Sequence, residues 1–448
     1  MKAFQVRKPE MMEREGVIHH DTKGNCGMID RFSGRRPLRY RCLQGAFWLA
    51  ERCSWRYRLD VAGLERQARE ITGRQFQGTV HRPRLERLVA SIRDEAALNA
   101  LGRVAAAGTI VRMLVTRLCM EEIWGGPEPT TADLLHPARP PIFIVGMPRT
   151  GTTALHKLLA ADPAARTLPL WEAAFPVMVP TRDAARRTAA ARQAAAVHTF
   201  TQMKRVAPEL SGIHELDPFG ADECHWLLVN TVADYIFHVR WRVPEYERFL
   251  AGLAESEWDS IYREYLGTLR LLDGGQTDRH WVFKHPVHAP RIGTLARLVP
   301  DAIFVQTYRD VGEVVGSFCS LVSTMRGISS DTVDPRGDGA DTLRLLARFA
   351  GESEAAAARV EDRVVRIHYK TLLADPLAVI RKIYERAGIA WTSAGAAAMT
   401  GWLAEHPQDR HGRHRYSLEQ FGLDDRHVRS ACAAYDAQER TLAAARSA

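Results

Sequence analysis

The chain has 448 residues, of which 46% are hydrophobic and 25% are charged. These values exclude a disordered chain and a small disulfide scaffold, and they predict a globular protein with a large core. The net charge is +8, but residues 1–58 hold 13 Lys/Arg against 6 Asp/Glu, so the remaining chain carries only +1. A nearly neutral body argues against nucleic acid as a partner.

Residues 1–55 are predicted to form a basic, irregular N-terminal arm. Within it and just beyond, residues 38–58 mix arginines with aromatic side chains. This composition suits contact with an anionic membrane surface as well as a partly ordered arm, and we favour the arm. The chain does not start with an apolar signal-like run, and no stretch approaches the roughly 18 apolar residues of a membrane span.

The cysteines are scattered, without C-x-x-C pairs or an even framework, so we expect reduced thiols and a cytoplasmic protein. They are Cys26, Cys42, Cys53, Cys119, Cys224, Cys319 and Cys432.

Residues 56–135 are predicted to be a helical N-terminal region, since apolar residues such as Leu85, Leu88 and Ile92 recur at helical spacing. A proline-rich connector, residues 125–141, leads into an α/β domain that we assign to residues 136–430. A helical tail is predicted for residues 431–448.

Four short apolar runs in the α/β domain alternate with helical patterns, which predicts a parallel sheet flanked by crossover helices. The runs are Ile142–Val145, Trp281–Phe283, Ile303–Gln306 and Val364–Ile367. The last unit has clear helix signals: Asp375 as N-cap, Pro376 in the first turn and Gly388 at the end. Residues 181–280 are mostly helical and aromatic-rich, and we expect this insertion to cap the ligand site on the acceptor side.

The first strand is followed by Gly146-Met-Pro-Arg149-Thr-Gly151, then by Thr152 and Thr153. A strand that turns through glycines into a helix directs several backbone N–H groups at one point, where the helix dipole also favours an anion. The pattern therefore predicts a phosphate-binding loop. A nucleotide triphosphatase has lysine where Thr152 stands; here the loop carries Arg149 instead.

The ends of the next two strands also carry cations. One run ends in Lys284-His285 and the other in Arg309-Asp310, so no aspartate stands where a triphosphatase holds magnesium. These positions suit an anionic ligand that arrives without magnesium. The run 222–225, Asp-Glu-Cys-His, is not predicted to bind a metal, because adjacent residues of a helix point in different directions.

With these features the sequence resembles the P-loop sulfotransferase family, in particular the branch that shares a Pro-Arg-x-Gly-Thr-Thr loop with the tyrosylprotein sulfotransferases. The resemblance runs from about residue 60 to 430, and its motifs occur in the family's order. They are Pro148–Thr153, Trp281–His288, Tyr308-Arg309-Asp310 with Ser317, Val365–Leu372 and a basic run at 411–418.

The resemblance implies that the co-substrate is 3′-phosphoadenosine 5′-phosphosulfate (PAPS), with no metal. By resemblance, the loop grips the 5′-phosphosulfate through Arg149, Thr150, Gly151, Thr152 and Thr153. Arg309 and Ser317 would hold the 3′-phosphate. Arg413, with its neighbours His414 and Arg415, either closes over that phosphate or forms a solvated basic loop. Two positions depart from the family pattern: His285 follows Lys284, and Lys370 stands in place of an acid, so no catalytic role is assigned to it.

Sulfuryl transfer resembles phosphoryl transfer, in which positioning and electrostatics carry most of the catalysis. Arg149 and Lys284 are the cations predicted to stabilise the departing nucleotide oxygen. For the base that takes the acceptor's proton, the resemblance offers Glu172, with His288 as the rival. An imidazole is suited to this near pH 7, whereas a glutamate requires a raised pKa.

The leading prediction is a PAPS-dependent sulfotransferase that acts on a hydroxyl or amine of a small-molecule or lipidic acceptor. Two other classes stay open. One is a P-loop small-molecule kinase, disfavoured by the missing lysine and aspartate. The other is a non-catalytic nucleotide-binding protein that docks on a membrane through its arm. The sequence does not predict the acceptor or the oligomeric state.

Overall fold

A computed structural model describes residues 58–177, 188–206, 216–275, 278–406 and 417–447. At its centre is a five-stranded, fully parallel sheet with the strand order β2-β3-β1-β4-β5. The strands are β1 (Ile142–Ile144), β2 (Ala165–Arg166), β3 (His280–Lys284), β4 (Ile303–Tyr308) and β5 (Val364–His368). The predicted arm 1–55 and Arg413, His414 and Arg415 lie outside the described residues.

Eighteen α-helices lie within the described ranges. They are α1 (Val61–Thr72), α2 (Arg82–Glu95), α3 (Ala100–Trp124), α4 (Thr152–Ala160), α5 (Leu170–Ala174), α6 (Ala189–Val206), α7 (His225–Leu228), α8 (Ile236–Arg240), α9 (Pro244–Ala251), α10 (Glu255–Asp273), α11 (Ile292–Leu298), α12 (Val311–Ser329), α13 (Pro335–Ala358), α14 (Tyr369–Ala374), α15 (Pro376–Ala387), α16 (Ser393–Glu405), α17 (Asp425–Ala431) and α18 (Ala433–Ser447). Among the helices described, none is long and apolar enough to cross a bilayer.

The predicted α/β class is confirmed, and the sheet is buried on both faces as a parallel sheet requires. Phe143 of β1 packs against Phe283 and Phe304 of the neighbouring strands, with ring centroids 4.8 and 5.9 Å apart. The adjacent Ile142 and Val282 belong to a separate cluster on the opposite face, because alternate strand residues point to opposite sides. Burying each such side chain contributes about 1.5–3 kcal/mol.

The helix signals read from the sequence are present at α15. The side chain of Asp375 accepts a hydrogen bond from the N–H of Ala378 at 2.9 Å, Pro376 opens the helix and Gly388 ends it with φ of +64°. The four predicted strand runs correspond to β1, β3, β4 and β5. The prediction missed β2, because its two residues form no apolar run.

The N-terminal helices are joined to the insertion by buried ion pairs. Arg117 of α3 contacts Glu121 at 2.8 Å and Glu264 of α10 at 2.7 Å, and Arg84 of α2 contacts Glu264 at 3.2 Å. Breaking one such pair leaves an uncompensated buried charge, which costs several kcal/mol. The insertion is also packed by aromatic side chains, since Trp258 is fully buried in the core. The ion pairs hold α10 against α2 and α3.

Candidate active site

The loop between β1 and α4 has a backbone that depends on its glycines. Gly151 has φ of +90°, and a Cβ atom at this position would lie 2.8 Å from the ring of Tyr369. A Cβ atom on Gly146 would lie 2.1 Å from the side-chain oxygen of Thr307. Arg149 also has a positive φ, +68°, which is uncommon for a residue with a side chain. The loop is thus held in a strained, close-packed turn at the start of a helix, as phosphate-binding loops are.

The side chain of Thr150 holds this loop in place through hydrogen bonds. Its hydroxyl donates to the carbonyl of Met147 at 2.6 Å and lies 2.5 Å from the hydroxyl of Thr307 on β4. The side chain is fully buried. In the described structure, therefore, the Thr150 hydroxyl holds the loop against β4.

Arg149 and the two residues predicted to hold the 3′-phosphate lie together. The Arg149 Nε donates to the hydroxyl of Ser317 at 3.0 Å, and Nη1 of Arg309 donates to the carbonyl of Arg149 at 3.2 Å. The Arg309 guanidinium stands 4.7 Å from the centre of the Tyr369 ring and contacts Glu313 at 2.7 Å. Two guanidinium groups and a hydroxyl thus converge beside the loop, which is a donor set suited to a phosphate.

Lys284, at the end of β3, is the cation on the other side of the loop. Its side chain is almost completely buried, and Nζ donates to the Thr153 hydroxyl at 3.1 Å and to the carboxylate of Glu223. Burial acts to raise the pKa of Glu223, but the charges of Lys284 and His285 outweigh it and hold that pKa well below its ordinary value. Glu223 is therefore ionised beside the loop at neutral pH.

Glu223 was not among the predicted site residues. What brings it here is a tertiary contact, in which the backbone N–H of Cys224 donates to the carbonyl of Lys284 at 3.0 Å. Its local sequence carries no signal of that contact.

His285, which departs from the family pattern, lies between two carboxylates. Its Nε2 is 2.9 Å from Asp234 and its Nδ1 is 3.3 Å from Glu223. Burial would lower the pKa of His285, but Asp234 and Glu223 raise it to about 9. The imidazole is therefore protonated at neutral pH and compensates both acids. Within the described residues, no group of three His, Cys, Asp or Glu side chains is arranged to hold a metal ion.

Neither predicted base bonds to the loop or to Lys284 in the described structure, although the His288 ring lies beside His285, with centroids 5.6 Å apart. Glu172, in the first turn of α5, accepts a hydrogen bond from Nη2 of Arg166 at 2.5 Å. His288 is fully buried, and its Nδ1 is 3.0 Å from the hydroxyl of Tyr262. Burial and the nearby charge of His285 lower the pKa of His288 well below its ordinary value. Among the described residues, no hydrogen bond or ion pair joins Glu172 or His288 to the loop or to Lys284.

Comparison with known proteins identifies the family of this chain. A family model described as the sulfotransferase family matches residues 140–393. The chain belongs to the sulfotransferase family. The match contains the loop, Lys284 and Arg309, so the chain is an enzyme that transfers sulfo groups.

Relatives of this sulfotransferase occur in mycobacteria. It is 26% identical over 297 residues to the omega-hydroxy-beta-dihydromenaquinone-9 sulfotransferase Stf3 of Mycobacterium bovis and of Mycobacterium tuberculosis, spanning 65% of this chain and 73% of each relative. The crystal structure of sulfotransferase STF1 from Mycobacterium tuberculosis aligns with a TM-score of 0.70 at 29% identity, over 84% of this chain and 98% of that one. STF9 from Mycobacterium avium aligns with a TM-score of 0.71 at 24% identity, over 84% and 96%, and supports the fold alone.

Proposed function

We propose that this sulfotransferase moves the sulfuryl group of PAPS to a hydroxyl of an amphipathic or lipidic small molecule in the cytoplasm. One observation carries the proposal: the Lys284 amine is held between Thr153 of the phosphate-type loop and the carboxylate of Glu223. A cation that can stabilise the leaving group and a carboxylate that can take the acceptor's proton are thus present at the same point of the sheet edge.

The donor fits the charges around the loop. The backbone N–H groups at the start of α4 favour an anion, and Thr153 adds a hydroxyl there, with Thr152 beside it. Ser317 and Arg309 lie on the other side, where both contact Arg149 of the loop. A nucleotide with a 5′-phosphosulfate and a 3′-phosphate would meet one group of donors at each end, without a metal ion.

The transfer is an in-line displacement at sulfur. The acceptor oxygen forms a bond to sulfur while the bond from sulfur to the 5′-phosphate oxygen breaks, and that oxygen takes the electron pair. Lys284 and Arg149 stabilise the charge that develops there. Loss of one such cation is expected to slow the reaction by about 10²–10³, as for a lost oxyanion donor.

The acceptor's proton requires a base, and we assign this role to Glu223. Its carboxylate is ionised and contacts the same lysine that contacts the loop. The lowered pKa makes it a weak base, which suffices here because the acceptor hydroxyl becomes strongly acidic as its oxygen bonds to sulfur. Glu172, predicted from the family resemblance, is the alternative, and its carboxylate is engaged by Arg166. His288 is the third candidate, and its burial next to Tyr262 speaks against it.

The acceptor class is supported by the relatives. The Stf3 proteins are named for an omega-hydroxylated dihydromenaquinone, which is a lipid that offers a hydroxyl group. We extend only this shared chemistry, a hydroxyl on a largely apolar molecule, to the present chain.

Calorimetric titration with 3′-phosphoadenosine 5′-phosphate (PAP), the by-product of PAPS, beside ATP with magnesium tests the donor. Tight binding of PAP alone is expected, because Thr152 replaces the lysine of triphosphatases and the strand ends offer Lys284 and Arg309. Preference for ATP with magnesium would overturn the proposal in favour of a kinase. Binding of PAP without turnover of labelled PAPS on any hydroxylated acceptor would favour a non-catalytic nucleotide-binding protein.

A further inference from the structure

Three half-buried arginines near α5 and α7 differ from the fully buried arginines of the described chain. Arg112 of α3, Arg192 of α6 and Arg240 of α8 are each half-buried, and none forms an ion pair with a carboxylate of the described residues. Buried arginines elsewhere in the described chain are paired: Arg84 and Arg117 with Glu264, and Arg326 with Asp338. An unpaired charge taken out of water is costly, so three of them together require an explanation.

Removal from water lowers the pKa values of these three guanidinium groups. Burial lowers the pKa of Arg112 to about 10, with the charge of Arg240 adding to it. Burial likewise lowers the pKa of Arg192 and of Arg240. Partners such as carboxylates instead raise the pKa values of Arg74, Arg366 and Arg429 against the effect of burial, and a hydrogen bond to Asp94 raises the pKa of the exposed Arg93.

The three arginines lie around the two candidate bases. Arg112 donates to the carbonyl of Ala174 at 3.3 Å and Arg192 to the carbonyl of Phe175 at 2.7 Å, so both contact the end of α5, the helix of Glu172. The guanidinium of Arg240 stands 5.5 Å from the centre of the Trp226 ring, in the helix that follows Glu223.

Capping of α5 does not use up these donors. A guanidinium has five N–H groups, and each capping bond uses one. Nη2 of Arg192 is buried without a hydrogen-bond partner, and the Arg240 side chain makes no hydrogen bond to any described residue. Arg192 also stacks 4.8 Å from the centre of the Trp171 ring. The arrangement presents unused N–H donors beside apolar ring faces.

We propose that Arg112, Arg192 and Arg240 form an anion-binding subsite for the acceptor, which therefore carries an oxyanion, a carboxylate or a phosphate, in addition to its reactive hydroxyl. The apolar body of such an acceptor would lie against Trp171, whose side chain is only partly buried. This inference rests on the proposed function and narrows its substrate class to anionic amphiphiles.

The test compares three acceptors of equal chain length: a long-chain ω-hydroxy carboxylate, the corresponding diol and the monophosphate of that diol. Their affinities for the full-length, PAP-saturated protein are measured by calorimetry, and sulfuryl transfer from labelled PAPS is then followed. The unmodified protein is expected to bind one or both anions about tenfold more tightly than the diol. A hydrogen bond between two charged groups contributes enough free energy for a difference of this size. The two anionic compounds distinguish a carboxylate from a phosphate.

Arg112→Gln and Arg240→Gln are each expected to lower the ratio of anion to diol affinity about tenfold. Arg205→Gln is the matched control, because Arg205 is an exposed arginine on α6 and its loss changes the net charge equally. Equal affinity of the unmodified protein for all three compounds, absence of binding by all three, or an undiminished ratio in both variants would overturn the inference.

Thermal unfolding separates ligand binding from a structural role. Because no carboxylate of the described residues forms an ion pair with Arg240, although Asp234 is close enough to raise its pKa, Arg240→Gln is expected to melt near the temperature of the unmodified protein. A drop of several degrees with the ratio intact would show that Arg240 serves the fold, and would overturn the inference. If the unmodified protein does not bind PAP, the proposed function itself fails. Substitution of the three arginines is not expected to change PAP binding, so the two failures can be distinguished.

Discussion

The hydroxyl of Tyr435 forms hydrogen bonds with both the backbone N–H and the backbone carbonyl of Arg309. It accepts a hydrogen bond from the Arg309 N–H at 2.9 Å and donates one to the Arg309 carbonyl at 3.1 Å. The Tyr435 ring also stacks on Tyr308, with centroids 5.0 Å apart. Tyr435 belongs to α18, near the C-terminus, so this helix fixes the strand end that carries the predicted 3′-phosphate arginine.

Replacing Tyr435 by Phe is expected to weaken binding of PAP about tenfold, since two hydrogen bonds that orient Arg309 are lost. Affinity for adenosine 5′-phosphate, which has no 3′-phosphate, should change little. Calorimetric titration of the variant with both nucleotides measures the difference.

Glu439→Gln is the control for this change. Glu439 lies on the same helix and contacts His368 at 2.9 Å, but it does not contact Arg309. The control is expected to lower stability without changing the ratio of PAP to adenosine 5′-phosphate affinity. Equal losses for both nucleotides in the Tyr435 variant would mean that Tyr435 supports the fold and not the orientation of Arg309.

Gly146→Ala is expected to abolish measurable PAP binding, because the added methyl group would lie 2.1 Å from the Thr307 hydroxyl and 2.8 Å from its backbone nitrogen. The loop must then move away from β4. Gly293→Ala provides the comparison: Gly293 lies in α11 with open space around its missing Cβ, so the variant should gain about 0.5–1 kcal/mol of stability. Retained PAP affinity in Gly146→Ala would contradict the loop assignment.

The choice of base is tested by two isosteric changes. Glu223→Gln is expected to lower the rate of sulfuryl transfer by about 10²–10⁴ while PAP affinity is kept, because a neutral amide takes no proton. Glu172→Gln is expected to lose less activity and mainly stability, since it breaks the ion pair with Arg166. The measurement is single-turnover transfer from labelled PAPS. The opposite ranking of the two variants would restore Glu172, as the family resemblance suggests.

The sequence predicted those parts of the structure that local patterns determine. Strands β1, β3, β4 and β5 are short segments rich in apolar and aromatic residues, and α15 has its own start and stop residues. The loop was recognised because Gly146 and Gly151 stand at the spacing of phosphate-binding loops; Gly146 lies too close to Thr307 for a side chain, and Gly151 has φ of +90°. These features need no knowledge of distant contacts.

The remaining features depend on contacts between distant segments. Glu223 and Lys284 are 61 positions apart, and Tyr435 and Arg309 are 126 apart. Neither partner carries a local signal for the other. The hydroxyl of Thr150, one of the loop residues predicted to hold PAPS, bonds to Thr307, which is 157 positions away. Such roles become visible only after the chain has folded.

His285 predicts a dependence of stability on pH. Its pKa rises from the ordinary 6.5 to about 9 in the folded protein, because Asp234 and Glu223 outweigh the effect of burial. Between these values the folded state binds the proton and the unfolded state does not. The contribution to stability is therefore fully present below about pH 6.5 and is lost as the pH rises towards 9. Its full size is on the order of 3 kcal/mol.

Denaturant unfolding of the unmodified protein and of His285→Asn, between pH 6 and pH 9.5, measures this contribution. The difference in unfolding free energy between the two proteins is expected to shrink steadily as the pH rises, because the unmodified protein loses its imidazolium. His406→Asn, which replaces an exposed histidine, should not change how the unfolding free energy depends on pH. A difference that stays constant across the range would show that His285 is not protonated between Asp234 and Glu223, and that Lys284 alone compensates Glu223.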